Sequence, residues 1–141
     1  MKTLYATRAH ATGGRHGTVR SDDGLLDLQL AIPAEMGGKG GATNPEQLFA
    51  AGYAACFENA VIHVSRNREA KVRDHDIDVA ATVGIGPNTA GGFGLSVALE
   101  VTIAGLDQAM AEDIVGQAHA TCPYSNAIKG NVDVAIEVTT R

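Results

Sequence analysis

The run Thr43–Ala60, TNPEQLFAAGYAACFENA, constrains the fold more than any other part of the chain. It opens with a helix start. Thr43 and Glu46 have the S/T-x-x-E spacing of a capping box, in which each satisfies a backbone donor near the other. Pro45 falls near the first turn, where its missing N–H costs nothing. From Leu48 to Phe57 no residue is charged or strongly polar. A helix that is apolar all round belongs in a core. The run therefore predicts a long buried central helix, reaching to about Arg68 because Ser65–Lys71 turns polar and charged. Gly52 is a mild weakness within it and is expected to permit close packing against another element. Cys56, one of only two cysteines, lies in the middle of the segment.

Composition narrows what can surround such a helix. At 141 residues the chain reads as a single domain, 1–141, long enough to bury a core. The net charge of −5 gives no basic surface for nucleic acid or an acidic membrane. No segment approaches the ~18 consecutive apolar residues of a membrane span. The start, MKTLYATRAH, lacks the apolar core of a signal peptide. A soluble, cytoplasmic protein is expected. In a reducing compartment, two cysteines point to inert thiols, a metal site or redox chemistry rather than a permanent staple.

On either side of the helix the pattern is mostly strand. Leu4–Thr12 is rich in strand formers, GGRHG at Gly13–Gly17 reads as a turn, and Thr18–Ser21 as a return strand. Asp23-Gly24 is a hairpin signal. Leu26, Leu28, Leu30 and Ile32 then alternate with less apolar residues, completing a three-stranded meander. Met36–Ala42 is mostly glycine and is expected to form a mobile surface loop. After the helix, Ile77–Val83 reads as a strand and Gly84–Gly94 as a glycine-rich connection. Leu95–Ile103 alternates cleanly and is expected to pair with Ile77–Val83 as a hairpin. Asp107 is a plausible N-cap for a helix ending near Ala120. Pro123 starts a short helix that Gly130 ends, and Val132–Val138 alternates as the last strand. The predicted order, β-β-β-α-β-β-α-α-β, is an α+β fold. Its edge strands and its wholly apolar helix favour a homodimer.

Several side chains could carry chemistry. A free cysteine can be a small buried hydrophobe. A reactive Cys56 must be a thiolate, which needs nearby positive charge or a helix N-terminus. Cys56 lies roughly 15 Å beyond Glu46 along a continuous helix, so the helix dipole helps little. Arg15, in the glycine turn, is either a solvated surface charge or that cation. Glu46 could orient it through a bidentate pair or serve the cap. Cys122 precedes Pro123 at a helix start. If the fold brings the two cysteines together, they have the layout of a two-cysteine redox centre. Zinc is the competing use, with Cys56, Cys122, His63 and His119 as candidate ligands, but no close ligand pair is present. No dinucleotide fingerprint, P-loop or nucleophile elbow occurs, and no cofactor is expected.

Four motifs together are recognisable: TGGRHG at Thr12–Gly17, TNPEQLFAAGYAACF at Thr43–Phe57, GIG with GGFGL within Gly84–Leu95, and CPYSNAIKGNVDV at Cys122–Val134. Across essentially its whole length the chain resembles the organic hydroperoxide resistance (Ohr) family of the OsmC-like superfamily. The resemblance implies an intertwined homodimer with the long helix buried between sheets. It implies a thiol-dependent peroxidase that prefers organic hydroperoxides. Cys56 falls on the family's peroxidatic cysteine and Cys122 on its resolving cysteine. Arg15 falls on the arginine that stabilises the thiolate, and Glu46 on the glutamate that pairs with it. The implied reductant is a lipoylated protein or another dithiol. The alternatives are the OsmC branch, with a broader peroxide preference, and a non-catalytic small-ligand binder with inert thiols.

Overall fold

Short strands, each limited by the length of its partner, build the N-terminal part of the chain. The computed structural model describes residues 1–68, 70 and 72–141. Two compact units emerge, Met1–Leu48 and Phe49–Arg141. In the first, β1 (Ala9–Thr12), β2 (Thr18–Ser21) and β3 (Asp27–Gln29) form an antiparallel sheet in that order. The expected strand Leu4–Thr12 is paired only over its last four residues, because β2 offers only four partners. The alternating run Leu26–Ile32 is likewise strand only over Asp27–Gln29. Leu26 and Leu28 stay exposed, and Leu30 is buried.

The turn between β1 and β2 depends on glycine. Gly13 and Gly14 have φ of +85° and +59°, where side chains with a Cβ are strained. A Cβ on Gly17 would lie 1.7 Å from the carbonyl oxygen of Thr12. Arg15 sits in the single 3-10 turn, Gly14–His16, that these glycines allow. The glycine-rich stretch after Pro33 is laced by backbone hydrogen bonds rather than open. Gly38 N–H donates to Pro33 and Gly40 N–H to Ile32, both at 3.0 Å.

Helix α1 spans Pro45–Asn67. Its cap differs from the expected box. Asn44 is the N-cap, with its Oδ1 accepting from the Gln47 N–H at 2.9 Å. Pro45 is then the first helical residue, where its fixed φ suits the helix. Thr43 hydroxyl donates to the Gln47 side chain instead, at 2.8 Å. The helix stops one residue short of the expected Arg68. Of the polar run Ser65–Lys71, residues 69 and 71 lie outside the described residues. Nor is the helix buried all round in this chain. Tyr53, Phe57, Ala60, Val61 and Val64 form one buried face, whereas Ala51 and Ala55 are exposed.

That face lies in the core of the second unit. Here β4 (Ile77–Pro87) and β5 (Phe93–Ile103) pair antiparallel along their whole length, and β6 (Val134–Thr140) joins β5 in parallel. The expected glycine-rich connection is largely strand: Gly84 pairs with Ser96 and Gly86 with Gly94. The remaining turn is closed by Asn88, whose side chain accepts from the N–H groups of Ala90 and Gly92. Val97, Leu99, Val101 and Ile103 point to the core, as period two requires. A parallel partner needs a crossover. It is supplied by α2 (Gln108–Thr121), capped by Asp107, and by α3 (Pro123–Ile128). Ala111, Ile114, Val115 and Ala118 are its buried side. Each large side chain buried in this core contributes roughly 1.5–3 kcal/mol. Among the described residues no helix is long and apolar enough to cross a membrane.

The cap assignment is testable. Asn44→Ala should lower the unfolding free energy by about 1 kcal/mol, measured by urea denaturation, while Thr43→Ala changes it by only a few tenths. Equal losses at the two positions would restore the Thr43 capping box.

Candidate active site

The second unit brings the two cysteines together. Cys56 lies on α1, and Cys122 lies where α2 ends and α3 begins. Sixty-six residues apart in sequence, their sulfurs stand 3.6 Å apart, within hydrogen-bond reach of each other. Both are free thiols; Cys122 is fully buried and Cys56 partly so. Pro123 begins α3 directly after Cys122, which takes an extended backbone (φ −62°, ψ 124°) between the two helices. The Cys122 N–H still closes α2 on Ala118, at 2.8 Å, and its carbonyl accepts from Asn126 at 3.0 Å. The local sequence thus breaks the helix at the cysteine without leaving its backbone unpaired.

An aromatic cluster packs around the pair. Tyr53 lies edge-on to Phe49 and Phe57, at 6.2 and 6.3 Å between ring centres, and 5.8 Å from Tyr124. Gly52 makes this possible, since a Cβ there would sit 2.9 Å from the Tyr124 hydroxyl. The expected close approach at Gly52 is thus to Tyr124. Phe49 also lines an apolar cavity of about 270 Å³, with Ile85, Phe93, Leu95, Val97 and Ile128. Burial pushes the Cys56 thiol up, because it disfavours the thiolate. The backbone N–H of Tyr124 pulls the other way, and the Cys122 thiol adds to the rise.

The first unit holds the two remaining predicted residues in contact. The Arg15 guanidinium grips the Glu46 carboxylate with two parallel hydrogen bonds, Nη1 to Oε2 at 2.8 Å and Nη2 to Oε1 at 2.6 Å. Arg15 is presented by the glycine turn and Glu46 by the first turn of α1. Both side chains are shielded, 30% and 14% exposed, so water screens the pair less than a surface bridge. The bond holds the Glu46 carboxyl below the usual carboxylate range and raises Arg15. The stabilisation from a depressed carboxyl is present above its unfolded pKa and is lost as pH falls through the folded value.

The four candidate zinc ligands do not form a common site, although the two cysteines meet. His63 bonds the side chain of Asn67 at 3.0 Å, and His119 bonds Ser125. Among the described residues no group of three or more His, Cys, Asp or Glu side chains could hold a metal ion. Sequence reasoning missed Tyr53, Tyr124 and Ser125 as neighbours of the thiols. The signal was present in their spacing: Tyr53 is one helical turn before Cys56, and Ser125 one turn after Cys122.

Known proteins resemble this chain in sequence and in fold. The model of the OsmC-like protein family matches residues 38–137. An organic hydroperoxide resistance protein from Xanthomonas axonopodis pv. citri is 48% identical over 136 residues, covering 96% of this chain and 94% of that one. The crystal structure of an organic hydroperoxide resistance protein from Legionella pneumophila superposes with a TM-score of 0.93 at 54% identity, covering 98% and 99% of the two chains. That of OhrB from Bacillus subtilis superposes with a TM-score of 0.87 at 41% identity, covering 97% and 100%. With its α+β order and paired thiols, the chain belongs to the organic hydroperoxide resistance family of OsmC-like proteins.

Proposed function

We propose that this protein is a thiol peroxidase that reduces organic hydroperoxides to alcohols, with Cys56 as the attacking thiol and Cys122 as the resolving one. The 3.6 Å separation of the two sulfurs carries the reading. The Cys56 thiolate attacks the distal peroxide oxygen; the O–O bond breaks, and the alkoxide takes a proton and leaves as the alcohol. Cys56 is left as a sulfenic acid. The Cys122 sulfur, losing its proton, then displaces hydroxide from Cys56, giving a disulfide and water. A dithiol restores both thiols through a mixed disulfide, and a lipoylated protein or another dithiol is the reductant assigned.

The reading also needs a cation. Burial raises Cys56, so its thiolate requires positive charge. We assign that charge to Arg15, held in place by Glu46. The bidentate pair uses two of the five guanidinium N–H groups and leaves the others free to donate. An apolar alkyl group suits the cavity lined by Phe49, which lies two helical turns before Cys56 and about 10 Å away along α1. The same reading places the protein in the cytoplasm as a homodimer. Leu4, Tyr5 and Leu25 in the first unit and Phe93 in the second are each at least 75% exposed, apolar side chains that a second copy would cover.

The deciding experiment is turnover of tert-butyl hydroperoxide against hydrogen peroxide, with dihydrolipoamide as reductant. The wild type should favour the organic peroxide. Cys56→Ser should lose activity by about a thousandfold or more. Cys122→Ser should consume a first equivalent and accumulate a sulfenic acid that dimedone traps. Equal rates on the two peroxides would move the assignment to the OsmC branch. No turnover by folded protein would leave a small-ligand binder.

Arg15 has its own test. Arg15→Ala should move the pH midpoint of Cys56 alkylation upward, since the Tyr124 N–H is then left to oppose burial without the guanidinium. It should also cut kcat/KM at neutral pH by roughly tenfold or more, as expected for a loss of thiolate. Glu46→Gln should do the same to a smaller extent. An unmoved alkylation midpoint in Arg15→Ala would remove Arg15 from the mechanism.

A further inference from the structure

Three residues from the cysteines along the chain stand three polar side chains that bond to one another. Tyr53 precedes Cys56 by three residues on α1. His119 precedes Cys122 by three, in the last turn of α2, and Ser125 follows it by three, in the first turn of α3. The Tyr53 hydroxyl and Ser125 Oγ are 2.7 Å apart, and His119 Nδ1 and Ser125 Oγ are 3.0 Å apart. Tyr53 is fully buried and Ser125 nearly so. A serine hydroxyl can donate one hydrogen bond while accepting another, so Ser125 can satisfy both neighbours at once.

The placement of these bonds matters more than their number. The His119–Ser125 bond spans the break between α2 and α3, where Cys122 has its extended backbone. The Tyr53–Ser125 bond ties that junction to α1, one turn from Cys56. Tyr53 is itself fixed by the rings of Phe49, Phe57 and Tyr124. Burial raises the Tyr53 phenol, which keeps it a neutral hydrogen-bond partner. The chain therefore braces Cys122 from both sides against the helix that carries Cys56.

We propose that the Tyr53–Ser125–His119 hydrogen-bond chain is a positioning device for the resolving cysteine, holding Cys122 against Cys56 so that the sulfenic acid closes to a disulfide before a second hydroperoxide reaches it. The inference rests on the peroxidase reading for the origin of the sulfenic acid. Two fates then compete. In one, Cys122 loses a proton and its sulfur displaces hydroxide from Cys56, giving the disulfide and water. In the other, a second hydroperoxide transfers an oxygen to the sulfenic sulfur, giving a sulfinic acid and an alcohol. The first is intramolecular, and its rate depends on how tightly the two sulfurs are held in reacting geometry. The second depends only on hydroperoxide concentration and access. Loosening Cys122 therefore shifts the outcome towards irreversible oxidation.

The test uses the full chain with Tyr53→Phe, Ser125→Ala and Ser125→Thr. Tyr53→Phe keeps the ring and its aromatic contacts and removes only the hydroxyl. Reduced protein is treated with graded cumene hydroperoxide, and disulfide and sulfinic acid are counted by intact mass. In Tyr53→Phe and Ser125→Ala, the concentration that converts half the Cys56 to sulfinic acid should fall about tenfold, as expected for a modest loss of effective concentration. Ser125→Thr should restore most of it. A second readout needs no peroxide: equilibration with oxidised and reduced dithiothreitol should show disulfide closure several-fold less favoured in the same two variants. A purely structural role would lower the melting temperature without moving either readout, and wild-type values in folded Tyr53→Phe and Ser125→Ala would overturn the proposal. If the wild type consumes no hydroperoxide, the peroxidase reading fails by itself. The dithiothreitol equilibrium then decides whether the chain positions the thiols, a shift supporting it and no shift overturning it.

Discussion

Burial of one face of α1 is the constraint on which the second unit depends. Tyr53, Phe57 and Val61 are spaced four apart and all three are completely buried. Any rotation of the helix about its axis would expose at least one of them. That fixes where every other α1 side chain points, including Cys56, which lies beside the buried face rather than within it. The thiol is shielded enough to be raised by desolvation, yet it keeps some contact with the outside. A thiol sealed from the outside could not meet an external substrate, and a fully exposed one would have no fixed partner. Gly52 sets the remaining dimension, because the Tyr124 ring can lie against α1 only where no Cβ intervenes.

Electrostatics in the first unit follow from a register choice one residue wide. Thr43-x-x-Glu46 and Asn44-x-x-Gln47 are overlapping cap patterns, and either is compatible with Pro45 in the first turn. Asn44 makes the cap, with its side chain buried and its Oδ1 on the Gln47 N–H. Glu46 is thereby relieved of a capping role, and both of its carboxylate oxygens bond to Arg15. The glycine turn then has a purpose beyond reversing the chain. With Gly13 and Gly14 in left-handed backbone and no room for a side chain at Gly17, the intervening 3-10 turn fixes where Arg15 leaves the backbone.

What could be read from sequence divides along the same lines. Period-two alternation located β5 and β6, and Asp107 marked the start of α2, because each signal is local and no competing pattern overlaps it. Strand length was not legible. Gly84, Gly86 and Gly94 look like loop residues in isolation, yet they are held in β4 and β5 by pairing with each other and with Ser96. Leu26 and Leu28 have a strand's alternation but little to pair with or pack on, so only part of that run becomes strand. The apolar stretch of α1 suggested burial on every side, whereas this chain covers only one face. For the thiols, spacing gave no indication of contact across 66 residues; the likeness to a family did. Tyr53 and Ser125 escaped notice because a buried tyrosine and a helix-start serine are ordinary on their own. Their significance lies in bonding to each other across the two helices that carry the cysteines.

The scale of movement needed between the two thiols also bears on the chemistry. A disulfide requires the sulfurs to approach to about 2 Å, with Cα atoms generally within about 7 Å. From 3.6 Å that is a displacement of about 1.5 Å, within the range of a change in side-chain torsion. Neither α1 nor the α2–α3 junction has to unwind. The backbone bonds Cys122 N–H to Ala118 and Asn126 N–H to Cys122 can persist through the reaction. A site built this way gains speed of closure from rigidity. On the proposed peroxidase cycle, the residues fixing the junction would therefore set how often the intermediate is lost to further oxidation.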